Sequence, residues 1–118
     1  MNIQDLVLQL HNTPEAVTFD DVMNVIADHY DYTPSRFTNG FGEDAAINEA
    51  GSNEGSCKIF AFAQLNNLSK EQTLHCFGDY YRKDVLEHPE ATDHANIRNF
   101  MIDGWDGIHF ENFVLELK

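Results

Sequence analysis

The chain has 118 residues and a mass of 13.5 kDa, enough for one domain with a single hydrophobic core and no covalent staples. Its 20 Asp and Glu against 7 Lys and Arg give a net charge of −13, and it lacks the clustered cations that nucleic acid or an anionic membrane surface would require. With 42% hydrophobic and 12% aromatic residues, it is too rich in core formers for a disordered chain. One domain over residues 1–118 is therefore predicted.

Ile3, Leu6, Val7 and Leu10 repeat at helical spacing and predict a short amphipathic helix over 2–11. Thr13-Pro14 ends it. Thr18 with Asp21 forms an N-cap arrangement, and Phe19, Val22, Met23, Ile26 and Tyr30 then place one apolar stripe on a second helix. Thr33-Pro34 breaks the pattern. Arg36 to Thr38 reads as a short strand closed by the turn signal Asn39-Gly40, and Ala45 to Glu49 reads as its partner. Ala50 to Gly55 is a loop. From Ser56 the chain is apolar on most sides, so 56–66 is the expected central buried helix. Ser69 and Gln72 make a capping box for a helix running to about Val85, with Leu74, Phe77, Tyr81 and Val85 inward. His88-Pro89 breaks the chain again, and Asp93 caps a helix over 94–103. Trp105 between Gly104 and Gly107 is expected in the core. Residues 108–117 alternate as one strand through Ile108, Phe110 and Val114 or Leu115.

Met1 to Leu6 has neither a basic n-region nor a continuous apolar h-region, so it is not read as a signal peptide. No run approaches the ~20 apolar residues of a membrane-spanning helix. Cys57 and Cys76 both fall in apolar helical patterns, which suits a reduced cytosolic setting better than a bridge.

The run Asn53 to Ala63 (NEGSCKIFAFA) resembles the most characteristic block of the HopJ type III effector family. Gln72-Thr73-Leu74, Cys76 to Arg82 and Asp84 to Leu86 are similar to a second block. Asp93-His94, Asn96 to Met101, Gly104-Trp105 and Gly107-Ile108 are similar to a third. Phe37, Asn39-Gly40 and Asn48 extend the likeness, so it spans roughly residues 37–110. Ala91 and His75 depart from the pattern, which has Gly and a small residue there. The resemblance implies a name taken from a plant pathogen's secreted protein, members widespread among bacteria, and no chemistry. Residues 1–30 contain no Ser and two helix patterns, a poor match to a disordered export signal, so a cytosolic location is expected, with type III secretion implied by the family name alone.

Cys57 is the sharpest candidate nucleophile. A helix N-terminus beside Lys58 would favour a thiolate, with His94 or His109 as base and Asp93 or Asn96 to orient it. The competing reading makes Cys57 a small core residue. His75 and Asp79 share a helix face at i, i+4, and Asp93-His94 could add two metal ligands. No His-x3-His or Cys-x2-Cys spacing supports that, and a surface pair is the simpler reading; no metal and no cofactor is expected. His94 either packs on a neighbouring loop or meets the Asn53-Glu54 loop in a site. Glu54 serves there as a base or only complements the helix dipole. Arg82 and Arg98 hold internal carboxylates or an anionic ligand.

These residues predict an α+β fold of about five helices around a central buried helix with a small antiparallel sheet from 36–49 and 108–117. Any site is expected where the 48–56 loop meets 93–98, since both present polar groups at helix N-termini. The binding candidates are Asn48, Asn53, Glu54, Ser56, His94 and Arg98. The leading reading is an acidic cytosolic domain that binds a small ligand or a protein partner, with no nucleic acid and no membrane. The alternative is a small Cys- or metal-dependent hydrolase with Cys57 or His94, and Glu54, in the site. A third reading, an acidic mimic of nucleic acid, would need a continuous band of carboxylates.

Overall fold

The structure, a computed structural model, describes all 118 residues. Two helices open the chain, α1 (Ile3–Asn12) and α2 (Phe19–His29). Each starts at a reciprocal capping box, Asn2 with Asp5 and Thr18 with Asp21, which satisfies two of the free N–H groups at each helix start. Each buries one stripe, Leu6 and Leu10 on α1, and Val22, Val25 and Ile26 on α2. Tyr30, expected on the α2 stripe, instead begins strand β1 (Tyr30–Tyr32), because the chain turns extended at that residue.

Strands β2 (Phe37–Asn39) and β3 (Ala46–Asn48) pair antiparallel, with Phe37 opposite Asn48 and Asn39 opposite Ala46. Asn39 is therefore a strand residue and not the tip of a two-residue turn. The connection runs from Gly40 to Ala45 and contains a single 3-10 turn at Gly42–Asp44. The reason is that the Asn39 side chain is needed inside, as described below.

Helix α3 (Glu54–Leu65) is the core helix. Ile59, Phe60, Phe62 and Ala63 are all completely buried. The Phe60 ring lies 4.9 Å from Phe100, 5.6 Å from Phe77, 6.1 Å from Phe37 and 6.3 Å from Trp105, centroid to centroid. These separations suit tilted and edge-on aromatic packing.

The single helix expected over 69–85 is broken in two. Helix α4 (Lys70–His75) starts at the expected Ser69–Gln72 capping box. It then ends before Gly78, which adopts φ +60°. A Cβ on Gly78 would sit 2.7 Å from the Phe19 backbone nitrogen, so only glycine lets the chain pass the start of α2 this closely. The chain resumes as a π-helical segment, Tyr80–Val85. The apolar spacing of Leu74, Phe77, Tyr81 and Val85 survives the break, which is why periodicity alone misses it. His75 and Asp79 are consequently not neighbours on one helix face. Asp79 lies 3.9 Å from Lys83, and His75 Nδ1 lies 3.1 Å from the Arg82 guanidinium.

Helix α5 (Ala95–Asp103) has His94, not Asp93, at its N-cap position. Residues 108–117 form two strands in different sheets and not one. Strand β4 (Ile108–Phe110) joins β2, completing the three-stranded antiparallel sheet β3-β2-β4. Strand β5 (Leu115–Leu117) pairs with β1, with Tyr32 opposite Leu115. The Trp105 indole is half-buried against Phe60 and Phe100 and donates to the Leu68 carbonyl at 3.2 Å. The fold is thus α+β, with five α-helices and two small antiparallel sheets around α3.

Candidate functional site

Three asparagines meet in the interior where β2, β3 and α5 come together. Asn39, Asn48 and Asn96 are 0%, 2% and 7% exposed. Buried amides are tolerated only when paired, and here they pair with one another. Asn39 Nδ2 donates to the Asn96 carbonyl at 2.8 Å and to Asn96 Oδ1 at 3.1 Å. Asn48 Nδ2 donates to the same Oδ1 at 3.1 Å, and Asn96 Nδ2 returns a bond to Asn48 Oδ1 at 2.9 Å. Asn53 Nδ2 reaches Asn48 Oδ1 at 2.7 Å. The network therefore ties the start of α3 to the start of α5 through β3. One acceptor, Asn39 Oδ1, is buried without a partner.

This network floors a cleft of about 510 Å³. Asn48, Asn53, Gly55 and Ser56 line one side, His94 to Ile97 line the other, and Phe19, Phe77 and Tyr80 supply aromatic walls. Both helices that open onto it begin at a non-glycine residue in the left-handed region, Asn53 at φ 51° and His94 at φ 52°. Neither residue caps its helix through its side chain. The first ladder bonds are Cys57 N–H to the Asn53 carbonyl and Arg98 N–H to the His94 carbonyl. The amides of Gly55, Ser56, Ala95, Asn96 and Ile97 thus carry no protein acceptor. Unspent N–H groups at a helix start, with the positive end of the helix dipole, attract acceptor atoms.

His94 is held from the π-helical segment. Its Nε2 lies 3.0 Å from Asp84 Oδ2, and the Tyr80 ring packs on it at 5.4 Å. Asp93 Oδ2 is farther, at 3.7 Å. Wide π turns are frequent at functional sites because they re-aim side chains, and here Tyr80 and Asp84 both come to bear on one imidazole.

Of the residues singled out from the sequence, Asn48, Asn53, Ser56 and His94 line the cleft; Glu54, Cys57 and Arg98 do not. Arg98 donates to the Asp93 carbonyl at 2.6 Å and to the Asp93 carboxylate at 2.8 Å, binding the 89–94 loop to α5. That contact holds the Asp93 carboxyl below its usual range and takes up the cation expected to meet a ligand. Arg82 is spent likewise, on the carbonyls of Pro14, Val17 and His75. Glu54 is exposed on another side of α3, where its charge adds to the burial that raises the Tyr32 phenol. His109 is exposed on β4.

Cys57 is 1% exposed. Burial pushes its thiol up and outweighs the opposing hydrogen bonds to the Ser35 carbonyl and Tyr32, with the Glu54 charge adding a lesser rise and Lys58 a lesser fall. A nucleophilic cysteine needs the opposite, a lowered pKa and an open approach. Cys57 packs in the core, which is the reading weighed against the nucleophile from the sequence. Cys76 is also buried, its thiol pushed up to about 12. In the native protein, both thiols are expected to react with iodoacetamide at neutral pH at least ~100-fold more slowly than free cysteine, and at the free rate in 6 M guanidinium. Fast native labelling of Cys57 would reopen the thiol mechanism.

Two features that matter here, the Asp84 contact and the pairing of the asparagines with one another, escaped the sequence reading. Asp84 stood in the second family-like block with no role attached, because the π turn, not a spacing, brings it to His94. The asparagine network gave a faint signal: Asn39 follows Phe37 by two residues on a strand, so both point to the same, buried face. No three His, Cys, Asp or Glu side chains converge anywhere on the chain, and no helix is long and apolar enough to cross a membrane.

The sequence matches the family model described as HopJ type III effector protein over residues 3–115. The structure is similar to a crystal structure described as that of unknown function protein VPA0580. The two share 53% sequence identity and a TM-score of 0.94, covering 100% of this chain and 95% of that one. No curated protein matches the chain.

Proposed function

This chain belongs to the HopJ type III effector family, and we propose that it is a small-ligand-binding domain whose site is the cleft between the starts of α3 and α5. The observation that carries this reading is an imbalance of hydrogen-bonding groups. On the floor, Asn48 Oδ1 and Asn96 Oδ1 each already accept two bonds. On the walls the unspent donors, the amides at the two helix starts and the Ser56 hydroxyl, outnumber the unspent side-chain acceptors, Asn53 Oδ1 and His94 Nδ1. A ligand that complements them carries acceptor oxygens, as a carboxylate, ester or phosphate does, with an apolar part against Phe19, Phe77 and Tyr80. The cleft contains no Lys or Arg, and the chain is strongly acidic, so a polyanion such as nucleic acid is a poor occupant. The same composition supports work in the cytosol. The export route in the family name is a separate question, answered by whether a reporter fused after residue 30 leaves secretion-competent cells.

The test is a thermal-shift titration with a panel of small carboxylates, carboxylate esters and phosphate monoesters. A fitting ligand at a hundredfold excess over its Kd stabilises the fold by about 2.7 kcal/mol, a rise in Tm of roughly 10 °C. Ala95→Phe, which fills the cleft from an exposed position, is expected to abolish the rise without lowering the unliganded Tm. No rise with any member of the panel, or an equal rise in the filled variant, would overturn the reading.

A further inference from the structure

We propose that the cleft is hydrolytic, with His94 held by Asp84 as a general base that activates water against a small carboxylic ester. This rests on the ligand-binding reading and adds chemistry to it. The imidazole lines the cleft and is only partly exposed, at 29% of its side-chain surface. Its Nε2 lies 3.0 Å from Asp84 Oδ2. That contact fixes the tautomer in which Nε2–H donates to the carboxylate and Nδ1 keeps its lone pair. Nδ1 has no hydrogen-bond partner in the protein, so nothing in the fold consumes it. A histidine oriented by a carboxylate, with its second nitrogen free in a concave site, is the arrangement that proton transfer needs.

Two further features set this imidazole apart from an ordinary packed one. His94 is held at φ +52°, a conformation unfavourable for a side chain with a Cβ, and such residues gather at functional sites. The helix that carries Asp84 is opened into a π turn at that point, which puts Tyr80 and Asp84 on the same ring. The nucleophile is water, because Ser56 makes no hydrogen bond to His94 and no Ser–His relay is set up; Ser56 lies on the facing wall as a donor to the substrate.

The reaction balances as follows. Nδ1 takes a proton from water as the oxygen attacks the acyl carbon, and the carbonyl pair moves onto oxygen. The resulting oxyanion faces the free amides at the starts of α3 and α5, and the imidazolium is stabilised by Asp84. Collapse of the tetrahedral intermediate breaks the C–O bond, and the leaving alcohol takes the proton back from Nδ1. The products are one carboxylic acid and one alcohol.

The experiment follows release of 4-nitrophenol from short-chain 4-nitrophenyl esters by the full chain. His94→Asn keeps a side chain that tolerates the left-handed backbone and removes the base; it is expected to lower kcat by about 100-fold or more. Asp84→Asn keeps the contact and removes the charge, and as a positioning change it is expected to lower kcat about tenfold or more with KM unchanged. His109→Asn, on an exposed histidine outside the cleft, reports the background and is expected to match the native chain. Turnover no faster than that of His94→Asn would overturn the proposal, as would an equal loss in His109→Asn. Binding is read in parallel, by the Tm rise with the ester or its acid. A rise without turnover removes the hydrolytic step alone, whereas no rise and no turnover remove the ligand-binding reading with it.

Discussion

Phe60→Ala is expected to destabilise the fold by about 3–5 kcal/mol, the range for truncating a fully buried aromatic side chain. Phe60 is 0% exposed and stands in the middle of a ring cluster made by Phe37, Phe77, Phe100 and Trp105. Those four residues come from β2, from the turn after α4, from α5 and from the segment that follows α5. Removing the central ring therefore loosens α3 and α5, the two helices whose starts form the cleft, together with β2 and the turn after α4. A domain of this size is typically stable by roughly 5–15 kcal/mol, so the variant would lie near the threshold of folding. Urea denaturation checks this. The midpoint is expected to fall with the slope unchanged, the sign of lost stability and not of an altered unfolded state. A loss under about 1 kcal/mol would mean that the neighbouring rings collapse into the space and that α3 is not the organising helix.

Asn48→Ala is expected to cost about 2–4 kcal/mol, a large effect for a polar residue. The reason is what it leaves behind. The Asn48 carbonyl oxygen accepts from Asn53 and Asn96, and its amide donates to Asn96 Oδ1 and to the backbone carbonyls of Phe37 and Ala46. Truncation strands several of these groups where water does not reach, and an unmet buried polar group costs about 1–3 kcal/mol. Because the network joins the starts of α3 and α5, the same change is expected to weaken ligand binding at the cleft beyond the loss of stability. Asn112→Ala, on the exposed turn between β4 and β5, is the control and is expected within about 0.5 kcal/mol of the native chain. A difference between the two variants below 1 kcal/mol would show that water enters the network freely. In that case the asparagines would not fix the geometry of the cleft.

The parts of the molecule legible in the sequence are those set by local chemistry. The capping boxes at Thr18–Asp21 and Ser69–Gln72 are made as their spacing predicts, because a cap involves residues three apart and needs nothing distant. The apolar run 56–66 becomes the buried helix, since a segment hydrophobic on all sides has no stable place except the interior. The position of the cleft was partly legible for a similar reason. Loop residues 48–56 and 93–98 carry polar side chains beside helix starts, and the fold brings Asn48, Asn53, Ser56 and His94 to one cavity.

What the sequence by itself determined is therefore an acidic α+β domain, its helix starts, its central helix and the pair of segments that meet. Tertiary structure alone decided the rest, and each case has a contact of long range behind it. Gly78 ends α4 because the backbone of Phe19, about 60 residues away in sequence, lies against it. The π turn that follows aims Asp84 at His94, a partnership no spacing rule encodes. Asn39 joins a strand, not a turn, because Asn96 waits for its amide. Residues 108–117 divide between two sheets because β2 and β1, in separate sheets, each pair with one half. Cys57, placed by local pattern at a helix start that would activate a thiol, is closed off by residues packed over it from elsewhere in the chain. A local pattern can name a side chain and its face of an element, but its solvent access and its partners are set by whatever the rest of the chain packs against it.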